Sequence, residues 1–128
     1  MNIFDTSSFY LALRKEKSHL LKNTINQSLI KYEIGNVIWK EVDLIKSISK
    51  TEGLTILIFV HKIFKTMNII EPNPQNISTL ATDLNITYYD ASFIQLAKEK
   101  QMPLITEDKK LKKSANKVVT ALSLKDII

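Results

Sequence analysis

Four acids, Asp5, Glu33, Asp90 and Asp108, are the residues whose types and spacing could do chemistry here. They lie 28, 57 and 18 residues apart along the chain. Carboxylates brought close together repel and raise one another's pKa, so a cluster stays anionic only beside cations. Oxygen donors suit hard divalent ions, which points to magnesium or manganese. Such an ion can bind a phosphodiester, generate hydroxide from water and stabilise the departing oxygen. Zinc fits poorly, because cysteine is absent and the only histidines, His19 and His61, are far apart in sequence.

Each acid also has a plainer use. Asp5 and Asp108 could each cap the helix that follows. Thr87-Tyr88-Tyr89-Asp90 matches a capping box, in which Asp90 ties back a helix start. Glu33 could sit at the edge of the core and reach solvent. Against that, its neighbours Ile30, Ile34 and Val37 form an apolar stripe, and an unpaired carboxylate there costs several kcal/mol.

The elements that must position these acids follow from periodicity. Residues 2–5 read as a short buried strand and 7–14 as a helix. Apolar residues recur at helical spacing across 25–48, as one helix or two, and Thr51–Gly53 reads as a break. Residues 54–65 are apolar nearly all round, which predicts a buried helix or a subunit interface, with a strand as the alternative. Met67–Ile70 reads as a strand, 75–84 and 88–100 as helices, and Pro103–Thr106 as a strand. A helix over 108–115, a last strand at Val118–Thr120 and a helical turn in 124–128 complete the chain. Short apolar strands alternating with helices predict an α/β fold with a parallel sheet covered on both faces. In such sheets ligands bind beyond the carboxyl ends of the strands, the edge where Asp5 and Asp108 fall.

Composition narrows the setting. With 128 residues and 45% apolar content, the chain suits one globular domain over 1–128. The opening residues lack a basic region leading into an apolar one, and Leu54–Val60 is far short of the roughly 20 residues a membrane span needs. We therefore expect a cytoplasmic protein with no membrane association. Net charge is +5, and Arg14 is the only arginine among 18 basic residues. That excess favours phosphate-rich partners. Lys109, Lys110, Lys112 and Lys113 follow Asp108 directly; they are either a solvated helix face or, with Arg14 and Lys15, contacts to a phosphate backbone.

Together the acid motifs resemble the PIN-domain family. Ile3-Phe4-Asp5-Thr6-Ser7 resembles its opening, and Tyr32-Glu33-Ile34-Gly35-Asn36-Val37 its second acidic motif. Tyr89-Asp90-Ala91-Ser92 resembles the third and Leu104-Ile105-Thr106-Glu107-Asp108 the fourth. The resemblance spans essentially the whole chain. It implies a three-layer α/β/α sandwich with a central, mostly parallel sheet of four or five strands. It also implies a magnesium- or manganese-dependent endoribonuclease, most similar to VapC-like toxins of toxin–antitoxin pairs, with a homodimer and a VapB-like antitoxin as partner. On this reading Asp5, Asp90 and Asp108 hold metal directly or through water, and Glu33 completes the cluster or positions the attacking water. Thr6, Asn36 and Thr106 orient the carboxylates. Two departures stand out. Lys110 and Lys112 occupy a region where many relatives carry a further acid or amide, so a second metal would be loosely held. Residues 23–28 lack an obvious apolar strand. Rival readings are an RNA-processing nuclease of the same fold, an inactive binding module, and a phosphoacceptor receiver domain. The last lacks an aspartate at its expected mid-chain position, where the residues are Lys50-Thr51-Glu52-Gly53.

Overall fold

The computed structural model describes all residues 1–128. Five two-residue strands, all paired in parallel, form the middle layer of a three-layer α/β/α sandwich. The elements run β1 (Ile3–Phe4), α1 (Thr6–Arg14), β2 (Ile25–Asn26), α2 (Leu29–Asp43), α3 (Lys50–Phe64), β3 (Asn68–Ile69), α4 (Pro74–Leu84), α5 (Tyr88–Lys100), β4 (Leu104–Ile105), α6 (Lys109–Ala115) and β5 (Ala121–Leu122). Single 3-10 turns occupy Ser18–Leu20 and Leu124–Asp126.

β1 and β4 pair with Ile3 opposite Leu104 and Phe4 opposite Ile105, and β5 pairs with the far side of β4. All four of those β1 and β4 side chains are fully or almost fully buried, as expected of a sheet covered on both faces. β2 and β3 form a separate parallel ladder beside β1. Their junction with β1 is a side-chain bond: Asn26 Nδ2 donates to the Phe4 carbonyl at 2.7 Å.

Three expectations about elements need correction. Ile25–Asn26 is a strand, so the helical pattern over 25–48 begins only at Leu29. A polar residue pairs there because the buried Asn26 amide satisfies a backbone carbonyl, a use that apolar patterning does not register. The last strand is Ala121–Leu122; Val118 and Val119 lie in a turn bonded back to Ala115. Thr51–Gly53 is the first turn of α3, which opens on a capping box between Ser49 and Glu52. Gly53 is there for space: a Cβ at this position would sit 2.6 Å from Val42 Cγ2, where α3 crosses α2.

The 54–65 segment is a helix, as one of the alternatives held, but it is not buried all round. Val60, Ile63 and Phe64 enter the core, whereas Leu54, Ile58 and Phe59 face solvent. With Trp39, Leu44 and Ile45 of α2 and its exit, they leave the α2–α3 hairpin with an exposed apolar surface.

Candidate active site

The register of β1 and β4 builds the centre of the site. Asp5 follows β1 and Thr106 follows β4, so the two residues end up side by side at the carboxyl edge of the sheet. Asp5 is also the N-cap of α1: its Oδ1 accepts from the Ser8 backbone N–H at 2.9 Å, from Ser8 Oγ at 3.0 Å and from Ser7 Oγ at 2.8 Å. Its Oδ2 accepts from Thr106 Oγ1 at 2.5 Å. The Thr106 hydroxyl in turn accepts the Asp108 backbone N–H at 3.1 Å, tying the first acid to the loop that carries the fourth. Ser7 Oγ accepts the Glu107 N–H at 3.0 Å and closes the same circle.

Asp108 caps α6, with Oδ1 accepting from the backbone of Lys110 and Leu111, each at 3.0 Å, which leaves Oδ2 free. Asp90 lies in the first turn of α5, where Thr87 accepts its backbone N–H at 3.1 Å. The reciprocal half of the capping box is not made. Glu33 sits within α2 and accepts from Thr6 Oγ1 at 2.5 Å through Oε1, with Oε2 free. Three of the four acids therefore stand at helix N-termini, where the macrodipole favours a negative charge.

All four acids line one cleft of about 500 Å³, together with Thr6, Ser7, Asn36 and Lys40. Burial raises the Asp5 carboxyl above its ordinary pKa, opposed by its hydrogen bonds from Ser8, Thr106 and Ser7. Burial also raises Glu33, opposed by Thr6 and reinforced by the charges of Asp90 and Asp5. For Asp90, burial acts first and the charges of Asp108 and Asp5 add to it, against the Thr87 hydroxyl. This mutual repulsion is what a bound cation would relieve. No three of the acids stand close enough to form a ready-made cage. The donor set fits a hydrated hard ion, which keeps several waters and takes only one or two carboxylates directly.

The basic residues do not all gather there. Lys110 lines a depression beside the cleft with Asp90 and Asp108. Lys109, Lys112 and Lys113 line a separate one with Lys125, and Lys112 Nζ is engaged by Ser123 at 3.1 Å and Asp126 at 3.5 Å. Arg14 pairs with Glu41 at 3.4 Å and lies over the Tyr10 ring, at the opposite end of α1 from Asp5. Lys15 caps that end. Sequence reasoning overlooked Ser7, whose place two residues after a capping aspartate was the available signal. Lys40 also lines the cleft, from α2, and has no carboxylate partner; its place seven residues after Glu33 on the same helix was the available signal.

An α/β/α sandwich with its acids gathered at the carboxyl edge of a parallel sheet belongs to the open α/β class that binds ligands at that edge. The PIN domain family profile matches residues 3–117, and the chain belongs to this family. A curated relative, "Exonuclease VapC9" of Pyrobaculum aerophilum, is 28% identical over 98 residues, which span 76% of this chain and 66% of the relative. The crystal structure of PAE2754 from the same organism superposes with a TM-score of 0.80 at 23% identity, covering 98% of this chain and 90% of that one.

Proposed function

We propose that this PIN-domain protein is a nuclease, specifically a magnesium- or manganese-dependent endoribonuclease acting as the toxin of a type II toxin–antitoxin pair. The observation that carries the nuclease reading is the convergence of Asp5, Glu33, Asp90 and Asp108, from four separate parts of the chain, on one open cleft. Family membership and the exonuclease name of the VapC9 relative support it. Asp5, Asp90 and Asp108 would hold the ion directly or through water, Asp108 with its free Oδ2, and Glu33 would complete the cluster or orient the attacking water. When bound, the ion supplies charge neutralisation at the scissile phosphate and activates water. Thr6 and Thr106 keep Glu33 and Asp5 oriented, a role whose loss typically costs 10- to 100-fold in metal affinity or activity, whereas Asn36 lines the cleft without bonding any of the acids. Lys40 and Lys110 receive phosphates next to the cleft. Lys109, Lys112 and Lys113 extend the track outward, and Arg14 and Lys15 lie beyond it as distal contacts to RNA.

The partners follow the same reading: a VapB-like antitoxin that blocks the cleft, and a second copy of the chain in a homodimer. Exposed Leu54, Ile58 and Phe59 on α3 supply apolar surface for such an interface. No helix is long and apolar enough to cross a membrane; it is the toxin reading that puts the protein in the cytoplasm. An RNA-processing nuclease differs only in its substrate and in lacking the antitoxin. An inactive module is disfavoured because all four acids face the cleft.

The relative's name favours a second reading, attack from RNA ends. A closed circular RNA separates the two. With manganese, an endonuclease converts the circle to linear fragments, whereas an exonuclease degrades only a linear control of the same sequence.

A further inference from the structure

Two tyrosines line the acid cleft without serving the fold. Tyr32 is 77% exposed and Tyr89 60% exposed. Neither hydroxyl has a hydrogen-bond partner within the chain, whereas Tyr10, which does pack, sits partly buried against Arg14. Each one directly precedes an acid on its helix, Tyr32 before Glu33 on α2 and Tyr89 before Asp90 on α5. Successive side chains on a helix diverge by about 100°. When the carboxylate turns into the cleft, the preceding ring is therefore carried to its lip. Tyr89 also borders a second depression, lined by Leu29, Pro72, Ile77 and Tyr88. A planar apolar group crossing Tyr89 would leave the acid cleft and enter that depression.

We infer that Tyr32 and Tyr89 stack on unpaired bases flanking the phosphate held at the acids, and so select a single-stranded segment. The inference rests on the nuclease reading and deepens it. In the site as proposed, the metal-holding carboxylates and the lysines act on phosphates, which duplex and single strand both present. Aromatic faces discriminate, because a base must be unstacked from its neighbours before a side chain can stack on it. Stacking of this kind is tolerant of base identity, so the tyrosines would confer strand selection with little sequence preference.

The test is steady-state cleavage of a labelled single-stranded RNA and of its perfect duplex, in manganese. Wild type is compared with Tyr32→Ala, Tyr89→Ala, Tyr32→Phe and Tyr89→Phe. Both positions are exposed, so none of the variants should disturb folding; thermal melts check this. Each alanine variant is expected to raise KM for the single strand by at least about five-fold, with kcat within two-fold, and each phenylalanine variant to match wild type. Quenching of a 2-aminopurine base in the single strand, read by rapid mixing before cleavage, should weaken in the alanine variants alone. Unchanged KM in both alanine variants overturns the inference. So does a phenylalanine variant as impaired as alanine, since the hydroxyl would then carry the effect, or wild type cutting the duplex as efficiently as the single strand. If wild type cuts neither RNA, the nuclease reading falls and takes the inference with it.

Discussion

Replacing Thr106 with valine keeps the side chain's shape and removes one hydroxyl that makes two hydrogen bonds, the one to Asp5 fully buried. That hydroxyl donates to Asp5 Oδ2 and accepts from the Asp108 N–H, and Thr106 is fully buried. A hydrogen bond to a charged group contributes about 1.5–3 kcal/mol, and an N–H left without its partner adds to the loss. Oδ2 of Asp5 has no other donor, because Ser7 and Ser8 both bind Oδ1. The expected loss is about 3 kcal/mol. For a chain of this size that corresponds to a fall of about 12 °C in Tm, taking about 4 °C per kcal/mol. Thr106→Ser keeps the hydroxyl and gives up one buried methyl, worth about 1 kcal/mol. Calorimetric melts in EDTA at neutral pH compare the two. The Val penalty should also shrink at acidic pH, where a protonated Asp5 no longer rewards the donor. A Thr106→Val melt within 2 °C of wild type, or no lower than Thr106→Ser, would refute the assignment of this hydroxyl as the support of Asp5.

Further outcomes are expected. Asp5, Glu33 and Asp90 all have raised pKa values in the folded chain, so they bind protons more tightly folded than unfolded. Their contribution to stability is complete below the ordinary values of 3.8–4.5 and is lost as pH rises through the elevated folded values. Metal-free Tm should therefore climb on acidification from neutral pH towards 5, while the increment given by manganese shrinks; the opposite trends in melts with EDTA and manganese would remove the acid cluster. Gly53→Ala forces a methyl against Val42 and should cost about 1–3 kcal/mol, read from urea denaturation, despite alanine's better helix propensity. Lys40→Gln should raise KM for RNA several-fold and flatten its salt dependence, with kcat preserved; an unchanged salt slope would take Lys40 off the phosphate path.

The parts of the site carried by contiguous motifs were legible in the sequence. Asp5 directly follows β1 and Asp108 lies three residues beyond β4, strands whose apolar runs are unbroken, so the sheet rule alone placed them on one edge. Their capping and cleft-lining positions turned out not to be alternatives: each carboxylate caps a helix and lines the cleft at once. What the sequence hid depended on partners far along the chain. The Thr106–Asp5 bond joins residues 101 apart and needs the β1–β4 register. The apolar pattern leaves β2 at most a weak extra strand because its buried residue is Asn26, and Gly53 reads as a break because a helix crossing leaves no mark on periodicity. The lysines after Asp108 share a helix but not a direction, and short-range clustering could not divide Lys110 from Lys109, Lys112 and Lys113.

The central claim is that the four acids cut RNA by holding a divalent ion. Its most direct test is cleavage of one single-stranded RNA by the wild type with manganese, by the wild type with EDTA, and by Asp90→Asn with manganese. Asp90 makes no side-chain bond that the fold needs, and neutralising it relieves its repulsion with Asp108 and Asp5, so the variant should melt no lower than wild type when metal-free. The expected result is cleavage in the first reaction alone. Equal cleavage in all three, or a folded Asp90→Asn that cuts as fast as wild type, would contradict the account.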